Sequence, residues 1–111
     1  MRIKKRFKFK SLANKNVKKA VIPATVRENS ITYKVTTIGK KAFQNCKKLN
    51  TVVVGKNVVK IESSAFYCCK KLRSITIKSK NLKSVSKKAF VKMSRTLKIY
   101  ASKQVRKKIK I

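Results

Sequence analysis

Side chains able to do acid–base, nucleophilic or metal chemistry are scarce in this chain. Its 111 residues hold three cysteines, Cys46, Cys68 and Cys69, two carboxylates, Glu28 and Glu62, and no histidine. Without His, no Ser–His or Cys–His pair and no imidazole ligand can be built. Two separate Glu residues do not make a paired-carboxylate hydrolase or an oxygen cage for calcium or magnesium. Three Cys without His fall short of a four-ligand metal site, and no C-x-x-C spacing occurs. The two glycines, Gly39 and Gly55, are too few for a phosphate-cradling loop. These counts argue against an enzyme, and no cofactor or metal is expected.

Cys46 and Cys69 lie 23 positions apart in matching surroundings, where Met93 stands a further repeat along. The plain expectation is a small buried hydrophobe at each. The same placement also allows a Cys46–Cys69 disulfide, because neighbouring strands lie roughly 5 Å apart. Cys68 is one position off that line and should face outward beside Lys70 and Lys71, as an ordinary exposed thiol or as a reactive one.

Charge is the other chemical resource. Lys and Arg number 33 against two acids, for a net charge of +31. Lysines cluster in Lys4–Lys10 and at Lys40-Lys41, Lys47-Lys48, Lys70-Lys71, Lys87-Lys88 and Lys107-Lys108. Solvated surfaces normally mix both signs, whereas a surface of one sign attracts polyanions. Lys outnumbers Arg, and Tyr33, Tyr67 and Tyr100 form no spaced stacking platform, so sequence-specific nucleic-acid reading is not expected. Non-specific nucleic-acid binding through phosphates is.

The elements that must hold these residues repeat. Ile38-Gly39-Lys40-Lys41-Ala42-Phe43, Ile61-Glu62-Ser63-Ser64-Ala65-Phe66 and Val85-Ser86-Lys87-Lys88-Ala89-Phe90 align, at steps of 23 and 24 residues. The extra residue lies in the 78–81 turn. A diverged unit precedes them: Val17, Ala20, Ile22 and Val26 share the spacing of Leu49, Val52, Val54 and Val58, with about nine residues inserted near Arg27–Val35. The insert predicts a hairpin, Val21–Val26 against Ile31–Val35, around Glu28-Asn29-Ser30. In each unit Ala42, Phe43, Cys46 and Leu49 or their counterparts mark a helical turn or short helix. An alternating strand follows, Val52-Val53-Val54 or Ile75-Thr76-Ile77. A unit this short buries its apolar face only by stacking like on like, so Phe43, Phe66 and Phe90 should form one column.

The expected fold is therefore a repeat solenoid of three to four 23–24-residue units, α/β in class with short strands and short helical turns. The 21–35 hairpin, with a strand around Phe7 and Phe9, should close the front. Leu97 and Ile99 mark a last strand, with Leu97 either 25 residues after Leu72 or in the place of Ile75. Ser102 should cap a short closing helix through Val105 and Ile109. One domain, 1–111, is expected: cap and diverged repeat 1–37, repeats 38–60 and 61–84, and last repeat with cap 85–111. No apolar run is long enough to span a bilayer. Met1-Arg2-Ile3-Lys4-Lys5-Arg6 starts like a signal peptide, but Lys8 and Lys10 interrupt the apolar stretch, so no export signal is expected.

The units I-G-K-K-A-F-Q-N-C-K-K-L-N-T-V-V-V and I-E-S-S-A-F-Y-C-C-K-K-L-R-S-I-T-I resemble the BspA-like leucine-rich repeat, with A-V-I-P-A-T-V and I-T-Y-K-V-T-T-I-G similar to the entry of such arrays. The resemblance implies a right-handed leucine-rich-repeat solenoid at the cell surface or secreted, non-catalytic, binding macromolecules and linked to adhesion. Two family glycines are replaced, by Cys68 before the repeat cysteine and by Glu62 at the place of Gly39.

Alternation turns Val52, Val54, Ile75 and Ile77 inward and Thr51, Val53, Ser74, Thr76 and Lys78 outward. That outward strand face, with Lys47, Lys48, Lys70 and Lys71, is the candidate binding surface. The expected function is a binding module of a surface or secreted repeat protein, engaging a protein, an anionic glycan or a cell-wall polymer. The alternatives are a basic protein acting on nucleic acid and a structural end-module of a larger array. Oligomeric state is left open.

Overall fold

The computed structural model describes residues 6–11, 16–93 and 96–109. Strand alternation decides the inner surface. Ala20 and Ile22, Val52 and Val54, and Ile75 and Ile77 are buried, and the residues between them are not. Valine and isoleucine suit this role because their branched side chains pack well on a pleated surface. The strands are β1 (Arg6–Phe9), β2 (Lys19–Ile22), β3 (Thr25–Glu28), β4 (Ile31–Ile38), β5 (Thr51–Val54), β6 (Lys60–Ile61), β7 (Ser74–Ile77), β8 (Ser84–Val85) and β9 (Lys98–Tyr100). A short helix, α1 (Lys103–Arg106), follows.

Two parallel sheets result. One has the order β2-β5-β7-β9, and its register keeps equivalent repeat positions side by side: Ala20, Val52, Ile75 and Ile99 form one row. The other has the order β1-β4-β6-β8, aligning Ile38, Ile61 and Val85, with β3 antiparallel on β4. This is a repeat fold in which successive units give strands to both sheets.

The spacing of Ala42, Phe43, Cys46 and Leu49 suggests a helical turn or a short helix; the segment is a run of separate turns with no continuous helix. Each bond there spans three residues: Ala42 N–H to Gly39 O, Gln44 to Lys41, Cys46 to Phe43 and Leu49 to Cys46. Lys41 and Asn45 have φ of 59° and 58°, left-handed values that stop helix propagation. The reversals turn other amides toward the next repeat. Phe43 N–H donates to Ala65 O and Asn45 N–H to Tyr67 O; one repeat on, Phe66 N–H donates to Ala89 O and Cys68 N–H to Val91 O.

Phe43, Phe66 and Phe90 form the expected column, with ring centroids 5.0 and 5.2 Å apart and planes within 5°. Phe9 of β1 extends it, 5.1 Å from Phe43. Centroid separations of this size mark offset stacks, the favoured parallel geometry for aromatic quadrupoles. Ala42, Ala65 and Ala89 are buried, as are Cys46 and Cys69.

The hairpin differs from the expectation. Its arms are Thr25–Glu28 and Ile31–Lys34, while Val21 and Ile22 belong to β2 in the other sheet. Pro23 lies between β2 and β3, where its missing amide breaks no pairing. Asn29 and Ser30, both left-handed, make the two-residue turn that matches strand twist. The pairs Ile22↔Val54 and Ile38↔Ile61 differ in offset by nine residues, 32 against 23. Val35, buried and 23 positions before Val58, takes the core place assigned to Val26, so the insertion lies earlier than Arg27–Val35. At the other end Ile99 pairs with Ile75, so Leu97 precedes its strand. Ser102 caps α1, its Oγ accepting from Val105 N–H at 3.3 Å, and Val105 is buried. The extra residue of the 78–81 turn is accommodated by buried Ser79. Its hydroxyl donates to Val58 O at 2.6 Å and accepts from Asn81 N–H.

Candidate functional site

The outward face of β2-β5-β7-β9 carries two rows that cross all four strands. Lys19, Thr51, Ser74 and Lys98 form one; Val21, Val53, Thr76 and Tyr100 form the other. Thr51, Val53, Ser74 and Thr76 are half-buried. The flanking residues stand clear: Val21 is 58% and Tyr100 54% exposed, the largest values among the large apolar side chains described. Lys78 is exposed just past β7, where its amide donates to Val54 O at 3.0 Å. The face is thus a neutral hydroxyl and valine strip with an apolar anchor at each end and lysines around it. Lys19, Val21, Lys98 and Tyr100 belong to it although the sequence argument does not place them there. Extending the offsets of 32 and 24 from inward to outward positions would have found them.

The lysine pairs divide. Lys48, Lys70 and Lys71 line an open hollow of about 630 Å³ with Lys18, Asn50, Arg73 and Thr96. Lys47 is exposed but does not line it. The hollow sits where the chain enters β5 and β7. Asn50 N–H donates to Lys18 O at 2.7 Å, and Arg73 N–H to Asn50 O at 2.8 Å, so three successive entry segments are bound to one another.

Glu62 lies elsewhere. Its carboxylate sits 3.3 Å from Lys8 Nζ and 3.6 Å from Lys60 Nζ, and accepts from Lys40 N–H at 3.2 Å. Desolvation pushes its pKa up, but the hydrogen bond and charge of Lys8, the Lys40 amide and the charge of Lys60 outweigh that and hold it below the ordinary Glu value. Glu62 therefore ties β1, the turn after β4 and β6 together.

Cys46, Cys68 and Cys69 are thiols, and the disulfide allowed by spacing is not formed. Cys69 Sγ donates to Phe43 O at 2.9 Å. Burial, reinforced by the neighbouring Cys46, pushes its pKa up to about 12, so thiolate chemistry at neutral pH is suppressed. Cys68 is half-buried rather than fully outward, in the left-handed position shared by Asn45 and Lys92. Lys92 Nζ stands 5.6 Å over the Tyr67 ring, and Tyr33 packs edge-on to Phe7. Among the described residues, no three His, Cys, Asp or Glu come together as a metal site, and no helix is long and apolar enough to cross a membrane.

The repeat offsets, the phenylalanine column and the paired parallel strands are the features a family comparison must match. The model of the BspA type leucine rich repeat region (6 copies) matches residues 5–110. The chain belongs to this family. Among solved structures, a leucine rich cell surface protein from Faecalibacterium prausnitzii A2-165 is 29% identical with a TM-score of 0.56. That likeness covers 76% of this chain and 23% of the other, so the chain spans about a quarter of its relative's length. No curated protein matches. Cys68 has a left-handed backbone, φ 61°. A glycine there adopts φ near 60° without cost, and in this BspA-type chain Asn45, Cys68 and Lys92 adopt it with side chains. Leucine-rich repeats are in general non-catalytic modules that bind macromolecules.

Proposed function

We propose that this chain is a non-catalytic recognition module of a cell-surface or secreted leucine-rich-repeat protein, binding a macromolecule on the outer face of β2-β5-β7-β9. In this reading residues 1–111 are one domain, a right-handed solenoid. The hairpin and β1 close its front, and α1 closes its back. The observation that carries the proposal is the row Val21-Val53-Thr76-Tyr100. Two exposed apolar groups flank a half-buried strip, an arrangement that anchors a partner by desolvation while the rim lysines speed encounter. Lys47, Lys48, Lys70, Lys71 and Lys78 supply that attraction; Thr51, Val53, Ser74 and Thr76 supply contact.

A binding screen against matrix proteins, anionic glycans and cell-wall polymers at physiological salt tests this. The expected result is retention of one class of ligand that persists at high salt and falls at least tenfold for Val21→Ser/Tyr100→Ser. Equal affinity for every polyanion, abolished by salt, would replace recognition with charge alone and favour the nucleic-acid reading. The end-module reading draws support from the relative's greater length. It predicts no ligand in the screen and association only with further repeats.

A further inference from the structure

The basic hollow is separate in character from the strand face. Five cations line it, Lys18, Lys48, Lys70, Lys71 and Arg73, with the Asn50 amide among them. Lys48 and Lys71 occupy equivalent places in successive repeats, whose phenylalanine rings stack 5.0 Å apart, so the fold holds like charges one repeat step from each other. The bonds from Asn50 to Lys18 and from Arg73 to Asn50 hold the backbone segments together, so these exposed side chains can separate only by rotating about their own bonds. No carboxylate joins the lining: Glu62 is engaged with Lys8 and Lys60, and Glu28 lies in the β3–β4 hairpin. A cation cluster rooted on adjacent backbone segments, with no carboxylate in its lining, attracts an anion from outside.

The lining also selects among anions. It contains no aromatic ring on which a nucleobase could stack. Its neutral polar side chains, Asn50 and Thr96, are few beside five cations for reading the several hydroxyls of a pyranose. Lysine predominates, and a lysine ammonium meets phosphate oxygens as a point charge without demanding one planar geometry. The volume of about 630 Å³ exceeds that of one phosphate and extends over three entry segments.

We propose that this hollow binds a flexible linear phosphate chain, either inorganic polyphosphate or a poly(alditol phosphate) of cell-wall type. The proposal deepens the anionic-ligand part of the reading above and rests on it, and turns on rim lysines rather than on the strand residues Val21, Val53, Thr76 and Tyr100. The test measures fluorescence anisotropy on the full chain with four labelled probes of matched charge: inorganic polyphosphate, a glycerol-phosphate oligomer, an oligo-dT and a sulfated glycan. Two variants of equal net charge are compared, Lys48→Gln/Lys71→Gln in the hollow and Lys56→Gln/Lys80→Gln elsewhere on the exposed surface.

The expected result is tighter binding of one or both phosphate chains than of oligo-dT or glycan; the arm that binds names the source. The hollow variant should lose about tenfold or more, and its salt slope should shrink by about 1.4, the single-strand value for two phosphate contacts. The other variant should lose less than about twofold. Equal losses in the two variants overturn the proposal, since net charge then accounts for binding. Preference for oligo-dT or the glycan overturns it in favour of that class. Val21→Ser/Tyr100→Ser should bind phosphate chains as the unmodified chain does, so failure of the strand face and failure of the hollow give different results. Lys48→Arg/Lys71→Arg, which keeps both charges, should retain at least half of the affinity; loss there would also overturn a point-charge site.

Discussion

The two sheets are drawn from the same repeats and differ in what they leave over. The β2-β5-β7-β9 sheet has strands of three or four residues in register, so each repeat gives it inward residues and outward ones. The other sheet tapers from eight-residue β4 to two-residue β6 and β8, and its β1–β4 pairing shifts between Phe7 and Lys8. Two residues suffice to place one inward side chain, Ile61 or Val85, and leave no outward platform. The first sheet therefore combines a core row with a continuous outward face. The second mainly holds the repeats and the N-terminal strand in place, with Glu62 as its ionic tie. The contrast teaches that the strand length kept from repeat to repeat decides how broad an outward face a sheet of the array presents.

The sharpest way to break this comparison is to empty one core place in each sheet. Ile75→Ala in β7 should lower unfolding free energy by about 2–5 kcal/mol in denaturant titration, because the site is fully enclosed. Val85→Ala in β8, which is half-buried, should cost roughly 1–2 kcal/mol. Equal losses would mean that both sheets bear the load alike.

The glycines give a smaller contrast. A methyl at Gly55 would meet backbone of the β2–β3 corner, 2.6 Å from Ile22 O and 2.8 Å from Pro23 O, whereas at Gly39 it meets Lys8 Cδ and Phe9 O at 3.1 Å. Gly55→Ala should therefore cost about 1–3 kcal/mol, and Gly39→Ala less, as the Lys8 side chain yields. Thermal melts of the two variants decide the order.

Acid probes the ionic tie. A carboxylate whose folded pKa is depressed stabilises fully above its unfolded value and loses that contribution as pH falls through the folded one. Tm should thus hold down to about pH 4.5, the ordinary Glu value, and then fall. Glu62→Gln should lower Tm slightly at neutral pH and flatten that acid limb. Least of all should Val21→Ser or Tyr100→Ser affect folding: each change should stay within about 0.5 kcal/mol, leaving any binding defect attributable to the face.

Much of this architecture is legible in one chain because the repeat supplies its own alignment. Ala-Phe-x-x-Cys recurring at 23 residues places Phe43 beneath Phe66, and simple alternation sorts Val52 from Val53. The turns escaped that logic. Side-chain spacing alone does not distinguish a helix from three-residue turns, and the left-handed φ of Lys41 and Asn45 follows from no residue preference as plain as glycine's. The hairpin boundary slipped because Val26 and Val35 are equally apolar, and pairing to Ala24 O chose between them. On the candidate face, Val21 and Tyr100 went unmarked because they lie in the diverged first unit and the last strand, where the repeat is faintest. The hollow joined Lys18 and Arg73 to the lysine pairs across segments that no motif links.

The amides released by the left-handed turns all donate in one direction, from an earlier repeat to a later one. A duplicated repeat spliced between two others would receive donors from behind and offer its own ahead, so neither neighbour loses a partner. Lengthening by whole units is therefore structurally neutral, while a gain or loss of any other size, unless a loop absorbs it, shears the register of every strand beyond it. Genes for such chains are expected to change size in multiples of one repeat.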